Sequence, residues 1–459
     1  MAIHELAFLA ADPDLQHARM QMALSLGWHI VIACFGVSFP PMLLLAEWRA
    51  HRRGDADYLE LAHTWAKVMG VLFAVGAVSG TILSFEMGML WPGLMQTFGE
   101  VYGFPFTLEG FAFFLEAIFV GIYLFGWDRL SPRAHMLSAV PIMISGAAGA
   151  FFVVAANGWM NTPEGFTLVD GKLVDPDPWD AMFNPSTAAQ TVHMLLAAVM
   201  VVGFCVASVY AVGFLRGRRS RYHRLGLLLP LVFGSVAAPI QMGVGDWIAN
   251  VVAETQPAKL AAMEGLYESG NGVALSLGGV YVDDELKYSI EVPWMLSLLV
   301  THDPNGYVEG LDKTPEEDRP PVNITHLSYN VMVGLGSALL GLAAWFAFAW
   351  WRRRDIPDTP WFLRAVAVSG VSAVVALEAG WVTTEVGRQP WVVYKVMRTE
   401  EAVNPADGLA LGFYVVLIVY IVLTVMTYWV MRRLAHSHDE AAPQEPDEGD
   451  RVTTGTGPR

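Results

Sequence analysis

Nine long apolar segments dominate the chain and limit the folds that it can adopt. Of its 459 residues, 54% are hydrophobic and only 16% are charged, which is too apolar for an ordinary water-soluble globular protein. A helix needs roughly 20 mostly apolar residues to cross a bilayer. The segments of that length are about 21–46, 64–90, 106–126, 135–156, 190–214, 225–248, 328–350, 362–386 and 409–431. The pattern predicts an all-α fold, a polytopic membrane bundle of about nine transmembrane helices, because barrel strands would alternate at shorter length.

The arginines predict how this bundle is oriented. They cluster after the odd-numbered segments, whereas the connections after the even-numbered segments are rich in acids. Because cytoplasmic loops carry an excess of Lys and Arg, we expect the N-terminus outside and the C-terminus in the cytoplasm. Much of the net charge of -16 lies on connections predicted to be outside, so it gives no indication of nucleic-acid binding.

The apolar segments and the connections between them divide the chain into four parts. These are residues 1–248 with six helices, an extracytoplasmic loop at 249–327, residues 328–435 with three helices, and a polar tail at 436–459. The tail has too little apolar surface to pack, and we expect it to be disordered. The two cysteines, Cys34 and Cys205, both lie in predicted helices, which excludes a disulfide framework and a thiolate-bound cluster.

Three side chains that bind haem iron well lie inside apolar segments at matching depth. They are His29, His193 and Met332, and the predicted topology places all of them in the outer half of the bilayer. A single membrane histidine is more often a hydrogen-bonded packing residue, and most methionines fill gaps in a core. A histidine and a methionine together are, however, an axial pair for low-spin haem. The matched depth therefore favours iron ligands and electron transfer.

Acidic residues form two pairs within the predicted helices. Glu109 and Glu116 are seven residues apart, as are Glu378 and Glu385, so each pair lies on one helix face. An ionised carboxylate in hydrocarbon costs roughly 2.5 to 3.5 kcal/mol, and such acids usually mark proton paths or ligands. We expect Glu109 and Glu116 to carry protons toward a buried redox centre. The alternatives are capping of a helix end or pairing with a neighbour, which for Glu385 would be Arg388.

Seven segments carry a resemblance to a known family. They are RMQMALSLGWH, LEGFAFFLEAIFVGIYLFGWDRL, VVAANGWMNTP, FNPSTAAQTVH, GVGD, KLAAMEGLYES and EAGWVTTEVGRQPW. They run in order from residue 19 to residue 391, and the GRQPW block is the most specific. The chain resembles subunit I of the cytochrome bd-type quinol oxidases. Its loop at 249–327 corresponds to the family's Q loop without the long insertion of some members, which places it in the short Q-loop subgroup.

The resemblance implies a role for each candidate ligand. His193 and Met332 would be the axial ligands of haem b558. His29 would bind one of the two high-spin haems, b595 and d, and Glu385 the other, with the order left open. Glu109 would lie beside haem d.

Further positions match family residues around the haems and the quinol. Arg388 and Trp391 would flank the haem pocket. Lys259 and Glu264 would contact quinol, although without the resemblance they would be taken for an exposed charge pair on a solvated loop helix. The loop would act as a lid over the quinol, and EVPWMLSLLVT within it is typical of an interfacial helix.

The chain departs from some family members at three positions. Asn330 stands where some members have an arginine two residues before the ligating methionine. Ala117 and Gly149 stand where some relatives have serines. The potential of haem b558 and the detailed proton path therefore cannot be transferred from those relatives.

The implied activity is oxidation of quinol coupled to reduction of dioxygen to water, with Glu109, Glu116, Glu378 and Arg388 as the catalytic residues. Protons would be released outside and taken up from the cytoplasm. This would move charge across the membrane without a proton pump. The implied partners are a second large subunit (subunit II), menaquinol or ubiquinol, dioxygen and the lipid of a bacterial cytoplasmic membrane, with a small accessory subunit left open. Two alternatives remain: a b-type cytochrome that reduces another acceptor, and a haem-free proton-coupled transporter.

Overall fold

The computed structural model describes residues 13–441, with side chains to residue 435, and this part of the chain is mostly helical. Nine of its helices are long and apolar enough to cross a membrane, which confirms the predicted polytopic bundle. Numbered in chain order, they are α1 (Pro13–Arg53), α2 (Ala56–Leu90), α3 (Pro92–Phe125), α4 (Pro132–Asn161), α5 (Thr187–Leu215), α6 (Arg221–Thr255), α7 (Val322–Arg353), α8 (Pro360–Val386) and α9 (Leu409–Ala441). Residues 436–441 were predicted to be disordered but continue α9, because the helix extends past its apolar part; the rest of the predicted tail, 442–459, lies outside the described residues.

Several helices extend well past the predicted apolar segments. The third segment was expected to begin near residue 106, but α3 begins at Pro92 and includes Pro105 in its interior. A proline is common in the first turn of a helix, so Pro105 resembles a start when only the sequence is known. Hydropathy marks the apolar part of a helix and misses polar turns that extend beyond it.

The connections after α1, α5 and α7 meet at one end of the bundle, which we call the basic end. Arg221 of α6 forms ion pairs with Asp55, between α1 and α2, and with Asp57 in the first turn of α2. Arg224 pairs with Asp355, between α7 and α8. Serine or threonine caps begin α4, α6 and α8 here, each accepting a backbone N–H from the first turn. The exposed ion pairs contribute little stability individually, but they show which connections are neighbours.

The opposite end, which we call the acidic end, carries the long loop between α6 and α7. Its helices are Pro257–Glu264 and Met295–Thr301, with 3-10 turns at Leu311–Lys313 and Glu316–Asp318. Its antiparallel strand pairs are Leu275–Leu277 with Ile290–Val292, Val280–Val282 with Glu285–Lys287, and Gly270–Asn271 with Tyr307–Val308. The predicted interfacial segment is thus helical only over Met295–Thr301, since its first two residues end a strand.

Shorter elements complete the acidic end. Strands Thr167–Val169 and Lys172–Val174 pair between α4 and α5, before a short helix at Pro178–Met182. Strands Trp391–Val393 and Met397–Arg398 pair after α8, followed by the helix Thr399–Ala402. These elements and the long loop together cover the end of the bundle at which the predicted site residues lie.

Glycines let the central helix α5 approach its neighbours closely. A Cβ atom placed on Gly203 of α5 would lie 2.7 Å from the backbone nitrogen of Gly234 and 2.8 Å from the carbonyl oxygen of Pro230, both in α6. On the other side, a Cβ atom on Gly370 of α8 would lie 2.9 Å from the Cα of Cys205. Small residues at crossings are typical of membrane bundles, since dispersion contacts hold their helices together.

We predict that Gly203→Val destabilises the bundle, because its side chain would overlap backbone atoms that cannot move aside. Overpacking of this kind costs about 1 to 3 kcal/mol. Thermal unfolding of the purified protein should shift to lower temperature. The matched control is Gly121→Val in α3, where an added Cβ meets nothing within 4 Å. Equal unfolding temperatures for the two variants would contradict the prediction.

Candidate functional site

The imidazole of His29 lies against a serine of the neighbouring helix. Its Nδ1 lies 2.7 Å from the hydroxyl oxygen of Ser79 in α2, and the carbonyl oxygens of Val75 and Gly76 lie 3.3 Å and 3.1 Å from the same hydroxyl oxygen. A hydroxyl has one hydrogen, so when Ser79 donates it to one of these carbonyl oxygens it can accept the N–H of His29 Nδ1. In that tautomer the other ring nitrogen, Nε2, is unprotonated and able to bind a metal. This is the arrangement in which a second residue orients a metal-binding histidine.

His193 and Met332 both lie against glycines. A Cβ atom on Gly245 of α6 would come within 3.9 Å of the His193 ring, and one on Gly380 of α8 within 2.8 Å of the Met332 sulfur. The His193 Nδ1 atom is buried and has no hydrogen-bond partner in the described part of the chain. A buried unpaired nitrogen is costly, so the site fits a group that bonds to this imidazole.

Helix contacts place His29 and Met332 at similar depth. A Cβ atom on Gly27 of α1 would lie 3.1 Å from Glu378 Oε2 of α8. From that contact, His29 lies two residues toward the basic end and Gly380, which touches Met332, lies two residues toward the acidic end. At about 1.5 Å per residue, the two candidate ligands differ by about 6 Å along the bundle.

A second crossing relates His193 to Met332. Cys205 of α5 touches Gly370 of α8. Toward the acidic end, His193 lies about 18 Å from this crossing along α5, and Gly380 lies about 15 Å from it along α8. His193 and Met332 are therefore in one layer, as the sequence predicts.

Two of the predicted acids point into the bundle at mid-helix. Glu116 Oε1 lies between α1 and α4, 3.3 Å and 3.5 Å from where Cβ atoms on Gly36 and Gly146 would be. Glu378 Oε1 is buried without a partner among the described residues. Glu109 lies near Glu116 on α3 and interacts with it electrostatically. None of the three is in the terminal turn of its helix, so the alternative of helix capping is wrong for them.

Glu385 and Arg388 form an ion pair that is incomplete on the arginine side. Arg388 Nη2 donates to Glu385 Oε2 at 2.6 Å, and Asn157 of α4 donates to Oε1. The predicted alternative of an ion pair is therefore present, but each carboxylate oxygen keeps a further lone pair. Arg388 is only 2% exposed, and its Nε and Nη1 atoms have no partner in the described structure. Two free donors on a buried cation fit an anionic group such as a haem propionate.

Trp391 lies next to this pair. Its backbone N–H donates to the carbonyl oxygen of Arg388 at 3.1 Å, and the Arg398 guanidinium lies over its ring at 4.8 Å. Trp391 is thus fixed beside Arg388, where a wall of the pocket is predicted.

Lys259 and Glu264 are both buried, at 3% and 5% exposure. The alternative of an exposed charge pair on a solvated helix is therefore wrong, because the loop, the end of α6 and the first turns of α7 cover the helix Pro257–Glu264. Lys259 Nζ donates to Asn161 Oδ1 of α4 at 2.5 Å, and its stem lies against Gly387, where a Cβ would come within 3.0 Å.

Burial changes the proton affinity of both groups. Burial lowers the pKa of Lys259 well below its usual value; the charge of Arg388 lowers it further and that of Glu385 opposes this. Burial raises the pKa of Glu264 to about 7, although a hydrogen bond donated by the Tyr329 hydroxyl opposes the shift. Glu264 can therefore exchange a proton near neutral pH.

The structure adds residues that the sequence did not single out. Asn157 and Asn161, which hold Glu385 and Lys259, lie in the VVAANGWMNTP block that carries the resemblance, so a signal was present. Ser79 and Tyr329 gave none, since their roles depend on a neighbouring helix or loop. At the departures from the family, Gly149 has open space where its Cβ would be, and Asn330 binds the loop.

Comparisons with known proteins identify the family and the fold. The family described as cytochrome bd terminal oxidase subunit I matches residues 17–439. A Bacillus subtilis protein provisionally named cytochrome bd menaquinol oxidase subunit I is 35% identical over 433 residues, covering 93% of this chain and 97% of that protein. A Bacillus subtilis cytochrome bd ubiquinol oxidase subunit 1 is 30% identical, covering 85% of this chain and 86% of that protein. The structure of bd oxidase from Geobacillus thermodenitrificans superposes with a TM-score of 0.87 at 36% identity, covering 92% of this chain and 98% of that chain. The chain belongs to the cytochrome bd terminal oxidase subunit I family.

Proposed function

We propose that the chain is the haem-carrying subunit of a terminal respiratory oxidase that oxidises quinol and reduces dioxygen to water. The observation that carries the proposal is the similar depth of His29, His193 and Met332 in a chain of this family, together with Arg388, a buried cation that has free donors in the described structure. A haem-free transporter would not need an imidazole and a thioether at equal depth. Quinol oxidation is supported separately by the buried Lys259 and Glu264.

The proposed haem sites follow from the donor atoms. His193 and Met332 hold haem b558, and His29 and Glu385 hold the high-spin haems b595 and d in either order. When bound, the haems supply the electron transfer and the oxygen chemistry. Ser79 is placed to accept from His29 Nδ1, which leaves Nε2 available for iron, and the free donors of Arg388 are suited to propionate carboxylates.

In the proposed quinol site, Glu264 accepts a proton and Lys259 positions the headgroup. The ionised carboxylate of Glu264 can take a proton from a quinol hydroxyl because its pKa lies near 7. Lys259 presents an N–H donor that Asn161 orients. The surrounding loop excludes water and strengthens both interactions.

Protons for oxygen reduction are proposed to come from the basic end through Glu116, Glu109 and Glu378. These acids lie inside the bundle, where only polar groups or water can pass a proton through hydrocarbon. The positive-inside rule places the basic end in the cytoplasm of a bacterial cell. Proton uptake on that side and release at the quinol site separate charge across the membrane without a pump.

The proposed complex contains further chains. Subunit II is the expected large partner, with a small accessory subunit as an additional candidate, and α9 is largely exposed in this chain. The two Bacillus subtilis relatives are named for menaquinol and for ubiquinol. We expect one of these two quinols to be the substrate.

A visible absorption spectrum of the purified complex tests the function, and His193→Ala tests the haem assignment. We expect haem b bands together with a haem d band in the red. The His193→Ala variant should lose the low-spin b558 signal from the reduced-minus-oxidised spectrum, since one axial ligand is removed. His223→Ala, at the basic end, is the control.

Each alternative gives a different spectrum. A colourless protein would support the transporter, and haem b bands without the red band would support a b-type cytochrome with another acceptor. An unchanged b558 band in the His193→Ala variant would reject that ligand.

We predict that Glu116→Gln slows oxygen consumption and leaves haem content intact. The amide keeps the shape of the side chain but cannot carry a proton, and loss of proton transfer by one side chain typically costs 10²- to 10⁴-fold, an order-of-magnitude range. Oxygen uptake with excess quinol is the measurement. Glu100→Gln, an exposed position on the same helix, should behave like the wild type. Normal turnover of Glu116→Gln would exclude the proton role.

We predict that quinol-supported oxygen uptake rises as pH increases through about 7. Glu264 is protonated below that pH and ionised above it, and only the ionised form can accept the quinol proton. In Glu264→Gln the rate should fall and this rise should disappear. Glu268→Gln, exposed in the same loop, should keep it. If the uptake rate of Glu264→Gln still rises through the same pH, the titrating group is another residue.

A further inference from the structure

The first turns of α7 carry three polar side chains that bind the backbone of the long loop. Asn323, His326 and Asn330 are three and four residues apart, so they lie on one face of the helix. We call these three residues the latch. They lie between the start of α7 and Met332, the candidate ligand of the low-spin haem. The latch thus links the loop to the helix that would hold that haem.

Asn323 binds both backbone groups of one loop residue. Its Oδ1 accepts the N–H of Tyr281 at 2.7 Å, and its Nδ2 donates to the carbonyl oxygen of Tyr281 at 2.8 Å. Tyr281 lies in the strand Val280–Val282 and is 1% exposed. The amide therefore pairs with this strand as a neighbouring strand would.

His326 lies between two separate parts of the loop. Its ring nitrogens lie 2.7 Å from the carbonyl oxygen of Met263 and 3.0 Å from that of Gly278, and a neutral imidazole donates to one of the two. The side chain is completely buried. Met263 immediately precedes Glu264, the proposed proton acceptor. His326 therefore packs between the backbone at the quinol acid and the strand region of the loop, with a hydrogen bond to one of them.

Asn330 binds the same glycine from the next turn of α7. Its Oδ1 accepts the N–H of Gly278 at 2.9 Å, and its Nδ2 donates to the carbonyl oxygen of His326 at 2.9 Å. Gly278 has φ of +64°, a conformation that favours glycine. This is the position at which some family members have an arginine. In this chain Asn330 binds the backbone of the loop instead.

We infer that the latch is a positioning device for quinol oxidation. It fixes the quinol acid Glu264 relative to Met332, because one rigid helix carries Met332 and binds the loop backbone next to Glu264. Tyr329, which donates to Glu264, lies on the same helix. The three latch side chains are occupied by backbone groups, so they position other residues. The inference rests on the proposed function.

The test uses the complete complex in detergent or nanodiscs, with Asn323→Leu, His326→Leu and Asn330→Leu. Asn305→Leu, at an exposed loop position, is the matched control. Oxygen uptake is measured with quinol and, separately, with ascorbate and TMPD, a small one-electron donor that does not need the quinol site. Amide hydrogen exchange of residues 260–292 and the reduced-minus-oxidised spectrum are recorded on the same samples.

We expect the KM for quinol to rise about tenfold in each latch variant, which corresponds to about 1.4 kcal/mol, as expected for loss of one or two hydrogen bonds. Exchange at residues 260–292 should become faster. The low-spin haem spectrum and the uptake with TMPD should stay at the level of the Asn305→Leu control. Asn330→Gln keeps the amide, so its KM for quinol and its exchange rate should change less than those of Asn330→Leu.

Two results would overturn the inference. One is wild-type KM and exchange in all three variants. The other is a parallel loss of haem and of both activities, which would make the latch a general element of stability. A wild-type complex that takes up oxygen with TMPD but not with quinol would instead refute the proposed quinol site, and hydrogen exchange would still decide whether the latch holds the loop.

Discussion

The structure depends on the cost of leaving a polar group unpaired in hydrocarbon. Helices satisfy most of their own backbone groups, so buried polar side chains are the groups that most need partners. His29 lies within hydrogen-bond distance of Ser79, and Glu385 accepts from Asn157 and Arg388. The arrangement of the site is therefore a consequence of membrane burial.

Charge balance in the interior shows which groups still need a partner. Arg388 and Lys259 are both buried, and Glu385 is the acid that interacts with each of them. The positive charge of Arg388 lowers the pKa of Lys259, and two arginine nitrogens are without partners in the described structure. Burial of such a cation is costly unless an anion completes the site. Haem propionates would supply that charge and complete the hydrogen bonds of Arg388.

Sequence reasoning predicted the parts of the molecule that depend on composition and spacing. The nine apolar segments correspond to nine long helices in the described part of the chain, in which Glu116 and Glu378 contact neighbouring helices. It failed where local and tertiary signals conflict. Pro105 resembled a helix start, and α3 continues through it because the neighbouring turns remain helical. Lys259 and Glu264 resemble a solvated pair until the loop folds over them. The partners Ser79 and Tyr329 could not be found, since their roles depend on contacts with another helix or with the loop, which spacing along their own helix does not reveal.

Helix α7 combines two tasks whose geometry cannot be separated. Its first turns bind the loop, and Met332 follows on the same rigid rod. A single residue inserted between Asn330 and Met332 would swing the thioether by about 100° around the helix axis and leave the loop contacts in place. The number of residues between Asn330 and Met332 is therefore constrained in this chain. A substitution between them is easier to accommodate than an insertion or a deletion.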